Sequence, residues 1–364
     1  MLSKATKQPM NYLAKLYTIL SLIPIIILFS YKTSRAQVDV VGDFLRVGQQ
    51  DAQTLTKAYL SPLASGVGAG FNSGWIDRAK SHKPLGFSIQ IRSGLALVPE
   101  SDEVFNVSEL PLTDQVTVTD QSELDDGNLS PTISGQDQRG PELALTDEAT
   151  GLELARFRLP SGAELDKIPT PYIQASLGLI KGVEITGRLI PEVSIVDDFG
   201  DFNMWGFGGK ANLNEWLPLG NRLPFDVAIA GGFNQTNITA NLEVLPDNGN
   251  IAPPETFQNQ KADLKFNSFV ASAVIGKTLP FMSLFTGVGF QTSEMDAELE
   301  GTFPVPTLTG TEPFIDPISF SEDGSNSVHG TVGIQFKVAI ITLSAEYTIA
   351  RFQTLNAGLG ISFR

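Results

Sequence analysis

SVHGTVGIQFKVAIITLSAEYTIARFQTLNAGLGISFR, residues 327–364, reads as three consecutive segments in which every second residue is apolar. Val328, Val332, Ile334, Phe336 and Val338 oppose His329, Thr331, Gln335 and Lys337. Leu343, Ala345, Tyr347 and Ile349 then oppose Thr342, Ser344, Glu346 and Thr348, and Leu355, Ala357, Leu359, Ile361 and Phe363 oppose Thr354, Asn356, Gly358, Gly360 and Ser362. A period of two is that of a β-strand with one apolar and one polar face. A soluble β-sandwich would also alternate, but its inner faces pack apolar residues against each other and leave no place for charge at mid-strand. Here Arg92, Glu184, Arg188, Lys265, Lys337 and Glu346 stand at mid-strand on the polar parity, as expected of side chains lining a watery lumen.

Working outward, the same alternation appears at 86–98, where Phe87, Ile89, Ile91, Leu95 and Leu97 oppose Ser88, Gln90, Arg92, Gly94 and Ala96. It recurs around 170–180, 183–195, 203–212, 223–245, 262–276 and 281–303. Short links at Lys181-Gly182, Asn212 to Arg222, Lys277 to Pro280 and Val338 to Ile341 contrast with long polar ones at 99–169, 246–261 and 304–326. Short turns at one end and long loops at the other are the asymmetry of an outer-membrane barrel. The fold expected is all-β, an antiparallel transmembrane β-barrel of ten strands with a short N-terminal helix; Val116 to Thr119 and Leu152 to Leu159 would raise the count to twelve or fourteen if they joined the wall.

The chain begins as an exported protein should. Residues 1–36 carry Lys4, Lys7, Lys15, Lys32 and Arg35, no acidic residue, and an apolar stretch from Leu16 to Phe29. That stretch falls short of the ~20 residues of a transmembrane helix, and Ser34-Arg35-Ala36 offers small residues for cleavage before Gln37. The domains expected are therefore a signal peptide at 1–36, a helix and plug-like segment at 37–85, and the barrel at 86–364. Apolar residues at Phe44, Gly48, Ala52, Leu55 and Tyr59 predict a short helix ended by Pro62, followed by an irregular segment at Gly66, Gly68, Gly70 and Gly74.

Charge and composition exclude several functions. Without the five signal cations, 20 Lys and Arg face 40 Asp and Glu, a formal charge of −20, which rules against nucleic acid as a partner. Sixteen acids lie between Val98 and Thr170, the pattern of a solvated acidic loop. There is no cysteine, so neither a lipoprotein anchor nor a disulfide framework is possible. The two histidines, His82 and His329, have no metal-ligand spacing, so no metal and no cofactor is expected. Ser327 shares a parity with His329, but nothing supplies an oriented third partner, and no enzymatic activity is expected. Glu294, Asp296, Glu298 and Glu300 form a ladder of like charge on one strand face, suited to water beyond the membrane. Arg78, Lys80, His82 and Lys83 make a basic cluster before the first strand, suited to an acidic partner, lipid headgroups or lumen carboxylates. Trp75, Trp205, Trp216, Tyr347 and Phe352 fall near strand ends, where aromatic girdles sit. The glycines at 206, 208, 209, 231 and 232 suit close strand packing or a kink, not a phosphate loop.

Asp51-Ala52, Ala58-Tyr59-Leu60-Ser61-Pro62-Leu63, Asn72-Ser73-Gly74-Trp75, Ala79-Lys80, His82-Lys83, Leu85-Gly86-Phe87 and Val98-Pro99 together resemble an uncharacterised Bacteroidota family of outer-membrane β-barrels, a domain of unknown function. Further echoes are Pro131-Thr132-Ile133-Ser134-Gly135, Arg188-Leu189-Ile190-Pro191 and Leu223-Pro224-Phe225-Asp226. The resemblance implies fold and outer-membrane location and carries no activity. A more distant likeness is to fatty-acid-transporter-type barrels with an N-terminal plug. The penultimate Phe363 resembles the terminal signal read by the barrel assembly machinery. The function expected is a porin-like passive channel or transporter of small solutes, with outer-membrane lipid and the assembly machinery as partners; the alternative is a structural or partner-binding barrel through which nothing passes.

Overall fold

The computed structural model describes residues 44–45, 47–124, 127–194, 200–218, 220–242, 244, 256–307 and 310–364. The expected signal segment, 1–36, and the expected cleavage before Gln37 lie outside the described residues.

Ten antiparallel strands close into a barrel. In chain order they are β1 (Phe87–Leu97), β7 (Lys167–Gly178), β8 (Val183–Ser194), β9 (Asp201–Asn212), β10 (Asp226–Asn241), β11 (Lys261–Thr278), β12 (Met282–Glu300), β16 (Ser327–Val338), β17 (Ile341–Ile349) and β18 (Gln353–Phe363). Each pairs with its neighbour in this order, and β1 pairs with β18 from Phe87↔Phe363 to Leu97↔Gln353, so the ring has no free edge. Closure matters because an unpaired backbone N–H or C=O has no water to bond in a hydrocarbon layer. The ten strands and their short links are those the alternation predicts. At the first short link Lys181 and Gly182 both take positive φ, 56° and 70°, the geometry of a tight two-residue hairpin turn.

The wall separates two chemistries. Phe87, Ile89 and Ile91 on β1, Phe336 on β16, and Leu359 and Phe363 on β18 are exposed outward, while Ser88, Gln90, Arg92, Gln335, Asn356 and Ser362 are buried inward. Cross-strand outward pairs such as Phe87 and Phe363, stacked at 5.2 Å between centroids, make a continuous apolar belt. On β12 the outward face runs Leu284, Val288, Phe290 and then Glu294, Asp296, Glu298 and Glu300, so the belt ends near residue 290 and the acidic ladder stands beyond it.

The remaining strands lie at the long-loop end and, β15 apart, stand outside the barrel sheet. In the 99–166 excursion β2 (Val104–Asn106) pairs with β4 (Leu129–Pro131), and β3 (Val116–Asp120), β5 (Glu142–Thr146) and β6 (Glu153–Arg158) form a separate sheet. The two segments that would have widened the barrel therefore belong to this cap. After β12, β13 (Thr302–Thr307) and β14 (Gly310–Ile315) form a hairpin, and β15 (Ile318–Asp323) pairs with Glu294–Leu299 of β12, beyond the point where β12 leaves β16.

Helix α1 (Gln49–Asn72) overturns the expected break at Pro62, which lies inside it, and takes in Gly66, Gly68 and Gly70. A helix glycine costs about 1 kcal/mol relative to alanine, so packing must require these three. A Cβ on Gly66 would lie 2.3 Å from Ile168, on Gly68 2.1 Å from Ser293, and on Gly70 2.5 Å from Thr170, all inward-facing wall residues. The helix is inside the barrel's long-loop half, and the glycines are what lets it fit.

Candidate functional site

The candidate site is the lumen with the segment that fills it. At the long-loop end Lys57 pairs with Glu322 at 2.9 Å, Gln53 donates to the carbonyl of Ser319, and Tyr59 bonds Ser161 and Ile133 of the cap. Deeper, Leu55, Tyr59 and Phe71 join a buried apolar cluster with Ile168, Met204, Phe266 and Met295 of the wall. Beside the upper helix lies a cavity of about 670 Å³, bordered by Lys57, Asp102, Glu322 and Arg351, which forms a vestibule.

At the waist the helix ends and the wall supplies what its last turn lacks. There is no basic residue in that turn, and free C-terminal carbonyls attract cations. Arg188 of β8 donates to the carbonyls of Phe71 at 2.6 Å and Ser73 at 2.9 Å and to Gln174 Oε1 at 2.8 Å. Its guanidinium lies between Trp75 and Tyr172, 3.8 and 4.1 Å from the ring centroids. Gly208 and Gly232 leave the slot for the Trp75 indole: a Cβ on either would come within 2.5 Å of it. Gly74, at φ +75°, donates its N–H to Glu346 Oε1 at 2.8 Å in a space too small for a side chain. Arg92 donates to Asn356 Oδ1 at 2.8 and 3.0 Å and to Gln90 Oε1 at 3.2 Å.

Below the waist Trp75, Ile76 and Ala79 pack against Val270, Val274 and Phe285, and the rest of the filling is ionic. Asp77 accepts from Gln90 at 2.9 Å and Gln335 at 2.7 Å. Lys210 of β9 lies 3.1 Å from Glu184 and 3.9 Å from Asp77, and donates to the carbonyl of Arg78 at 3.1 Å. Glu184 also accepts the backbone N–H of His82 at 2.8 Å and its ring Nδ1 at 2.7 Å. His82 Nε2 and Lys337 Nζ each reach Ser362 Oγ at 3.2 Å. Leu85 then bonds the carbonyl of Gly178 at the short-turn rim and the chain enters β1. From Gln49 to Gly86 the segment thus traverses the lumen from the long-loop end to the short-turn end.

Of the lumen candidates, Arg92, Glu184, Arg188 and Glu346 are buried inside and Lys337 is half-buried on the inward parity. Lys265 is a correction: it is exposed, beside Asp296 across the β11–β12 pair, while Phe266, Ser268 and Val270 of its strand face in. The inward parity is apolar there because the helix packs on it, which reversed the polarity of the two faces. Trp75 and Phe352 are also corrected, from girdle positions to buried ones; Trp205 and Trp216 are exposed. His329 meets Ser272 Oγ at 3.0 Å, while Ser327 accepts from Gln291, so the two are not brought together. Lys210, Asp77 and Gln90 were missed. Lys210 carried a signal, since it shares a parity with Gly206 and Gly208 opposite Trp205 and Phe207.

A closed antiparallel wall, apolar outside and polar within, defines a transmembrane β-barrel of the outer-membrane type, here filled by its own N-terminal segment. The chain belongs to a family of unknown function, DUF6588, whose profile matches residues 13–363. A comparison with curated protein sequences gives no match. Solved structures similar to it include the translocator domain of autotransporter NalP from Neisseria meningitidis, with 7 % identity, 77 % of this chain and 87 % of that one covered, and a TM-score of 0.27. The Ralstonia pickettii toluene transporter TbuX matches with 7 % identity, 78 % and 92 % coverage and a TM-score of 0.17, and the usher PapC translocation pore with 6 %, 77 % and 100 % and 0.12.

Proposed function

We propose that the protein is a gated conduit for small solutes in the outer membrane, closed in the conformation described and opened by displacement of the residues below the waist. The observation that carries this is the state of the plug-to-wall contact. At and below the waist Trp75 Nε1, Arg78 Nε and Nη2 and Thr342 Oγ1 are buried without a hydrogen-bond partner among the described residues, and beside the helix end so are Asn72 Oδ1, Thr170 Oγ1 and Ser293 Oγ. Buried polar groups are nearly always satisfied, by water where protein does not serve, so this contact is one that water enters. The vestibule beside α1 provides the entrance from the other end.

In this reading the long loops are extracellular and the short turns periplasmic, residues 1–36 are a cleaved signal, 37–85 are the plug and 86–364 the barrel. Outer-membrane lipid surrounds the belt, the assembly machinery reads the Phe363 strand, the source is a member of the Bacteroidota, and no enzymatic step is involved. The close fit of Gly66, Gly68 and Gly70 against the wall favours the alternative, a structural barrel whose plug never moves.

Single-channel recording on the folded protein in a planar bilayer separates the two. Defined conductance steps, enlarged by deleting residues 44–80, are expected of the conduit. Silence from both forms, each proven folded by heat-modifiable gel mobility, would leave the structural barrel.

A further inference from the structure

Below the cap, the fully buried charges of the lumen do not balance. Among the described residues four cations, Arg78, Arg92, Arg188 and Lys210, face three carboxylates, Asp77, Glu184 and Glu346. The half-buried Lys337 and the half-buried Asp226 at the short-turn rim offset each other. This local excess runs against a chain whose formal charge is −15.

Three of the four cations have partners. Arg92 is held by Asn356 and Gln90, Arg188 by carbonyls and two rings, and Lys210 by Glu184. Arg78 is not. Only 9 % of it is exposed, yet Nε and Nη2 meet no hydrogen-bond partner among the described residues. Asp77 and Glu184 lie within electrostatic range of Arg78 but are bonded to Gln90, Gln335, Lys210 and His82; a buried guanidinium is costly when its donors go unmet, and here two nitrogens of the same planar fork are unmet. Such a fork matches the paired oxygens of a carboxylate or phosphate. Lys337 lies within electrostatic range of Arg78, and Lys80, two residues further along the plug towards the short-turn mouth, is exposed.

We propose that Arg78, assisted by Lys337, is a binding site for a small soluble oxyanion, a carboxylate or a phosphate, inside the short-turn half of the lumen. The barrel wall stands between this site and the bilayer, which excludes a lipid headgroup and leaves a free solute. The proposal rests on the conduit reading and names its substrate class: anionic solutes, drawn through a net acidic protein by a locally basic passage.

Calorimetric titration of the folded full-length mature protein in a non-ionic detergent at low ionic strength, with inorganic phosphate and separately with succinate, tests it. One saturable site is expected for at least one anion, weakened at least tenfold in Arg78→Gln, a few-fold in Lys337→Gln, and unchanged in the outward-facing Lys265→Gln. Arg78→Lys should restore part of the affinity, which a merely unfolded variant would not show. Absence of saturable binding to the wild type, or equal binding by folded Arg78→Gln, overturns the site. Binding without conductance leaves the site and removes the conduit; conductance without binding does the reverse.

Discussion

The two halves of the plug are held by different forces. Above the waist, a helix of 24 residues presses leucine, tyrosine and phenylalanine onto an apolar stretch of wall, with glycines removing every Cβ that would hold the surfaces apart. Below it, the residues from Trp75 to Gly86 form no helix or strand; Trp75, Ile76 and Ala79 make a small apolar cluster with Val270, Val274 and Phe285, and the rest is fixed by ion pairs and hydrogen bonds to Gln90, Glu184, Lys210 and Gln335. Apolar contact offers nothing to water and is lost only by separating the surfaces. A polar contact can be exchanged for water at a net cost of only about 0.5–1.5 kcal/mol per hydrogen bond. On the conduit reading, the helical half is the anchor and the more polar half is the part that moves.

The sharpest test of that division is Phe71→Ala, which empties a fully packed position at the end of α1. It should cost roughly 3–5 kcal/mol, read as a fall in the urea midpoint of the folded barrel in detergent. Glu184→Gln should cost less, roughly 1.5–3 kcal/mol, because water can reach Lys210 once its partner is neutral, and it should raise the frequency of open events. A loss as large as that of Phe71→Ala would mean the ionic half is as dry as the helical half and would erase the distinction. Gly68→Ala drives a methyl group into Ser293 and should destabilise by about 1–3 kcal/mol without altering conductance; enhanced opening would show the helix itself to be the gate. The smallest effect belongs outside the lumen. Lys265→Ala removes an exposed cross-strand partner of Asp296 and should shift stability by about 0.2–1 kcal/mol, measured by the same unfolding curve; a larger loss would place Lys265 in a tighter contact than its exposure indicates.

The wall was legible because lipid and lumen impose opposite demands on alternate residues, and Leu355 to Phe363 and, Ser93 and Ala96 apart, Phe87 to Leu97 record this. The plug was only half legible. Pro62 and the glycines of 66–70 are helix-breaking by local preference, and only the surrounding Ile168, Thr170 and Ser293 make a helix the best fit. Lys265 misled for the same reason: its strand faces lipid and water outside but an apolar helix inside, so polarity no longer marks the lumen. Arg188 and Glu184 could be read as inward from parity, but their partners on the plug, Phe71, Ser73 and His82, lie more than 90 positions away in the chain, which no spacing encodes.

Trp75 gives the molecule an optical gauge. Of its three tryptophans, this one is buried in the lumen beneath a guanidinium, while Trp205 and Trp216 are exposed on the outside of the barrel. With those two replaced by phenylalanine, the emission of unlabelled protein reports a single indole seated on Gly208 and Gly232. Release of the segment below the waist would carry that indole from a packed slot into bulk water and shift its fluorescence to longer wavelength, so the position of the plug can be followed by light alone.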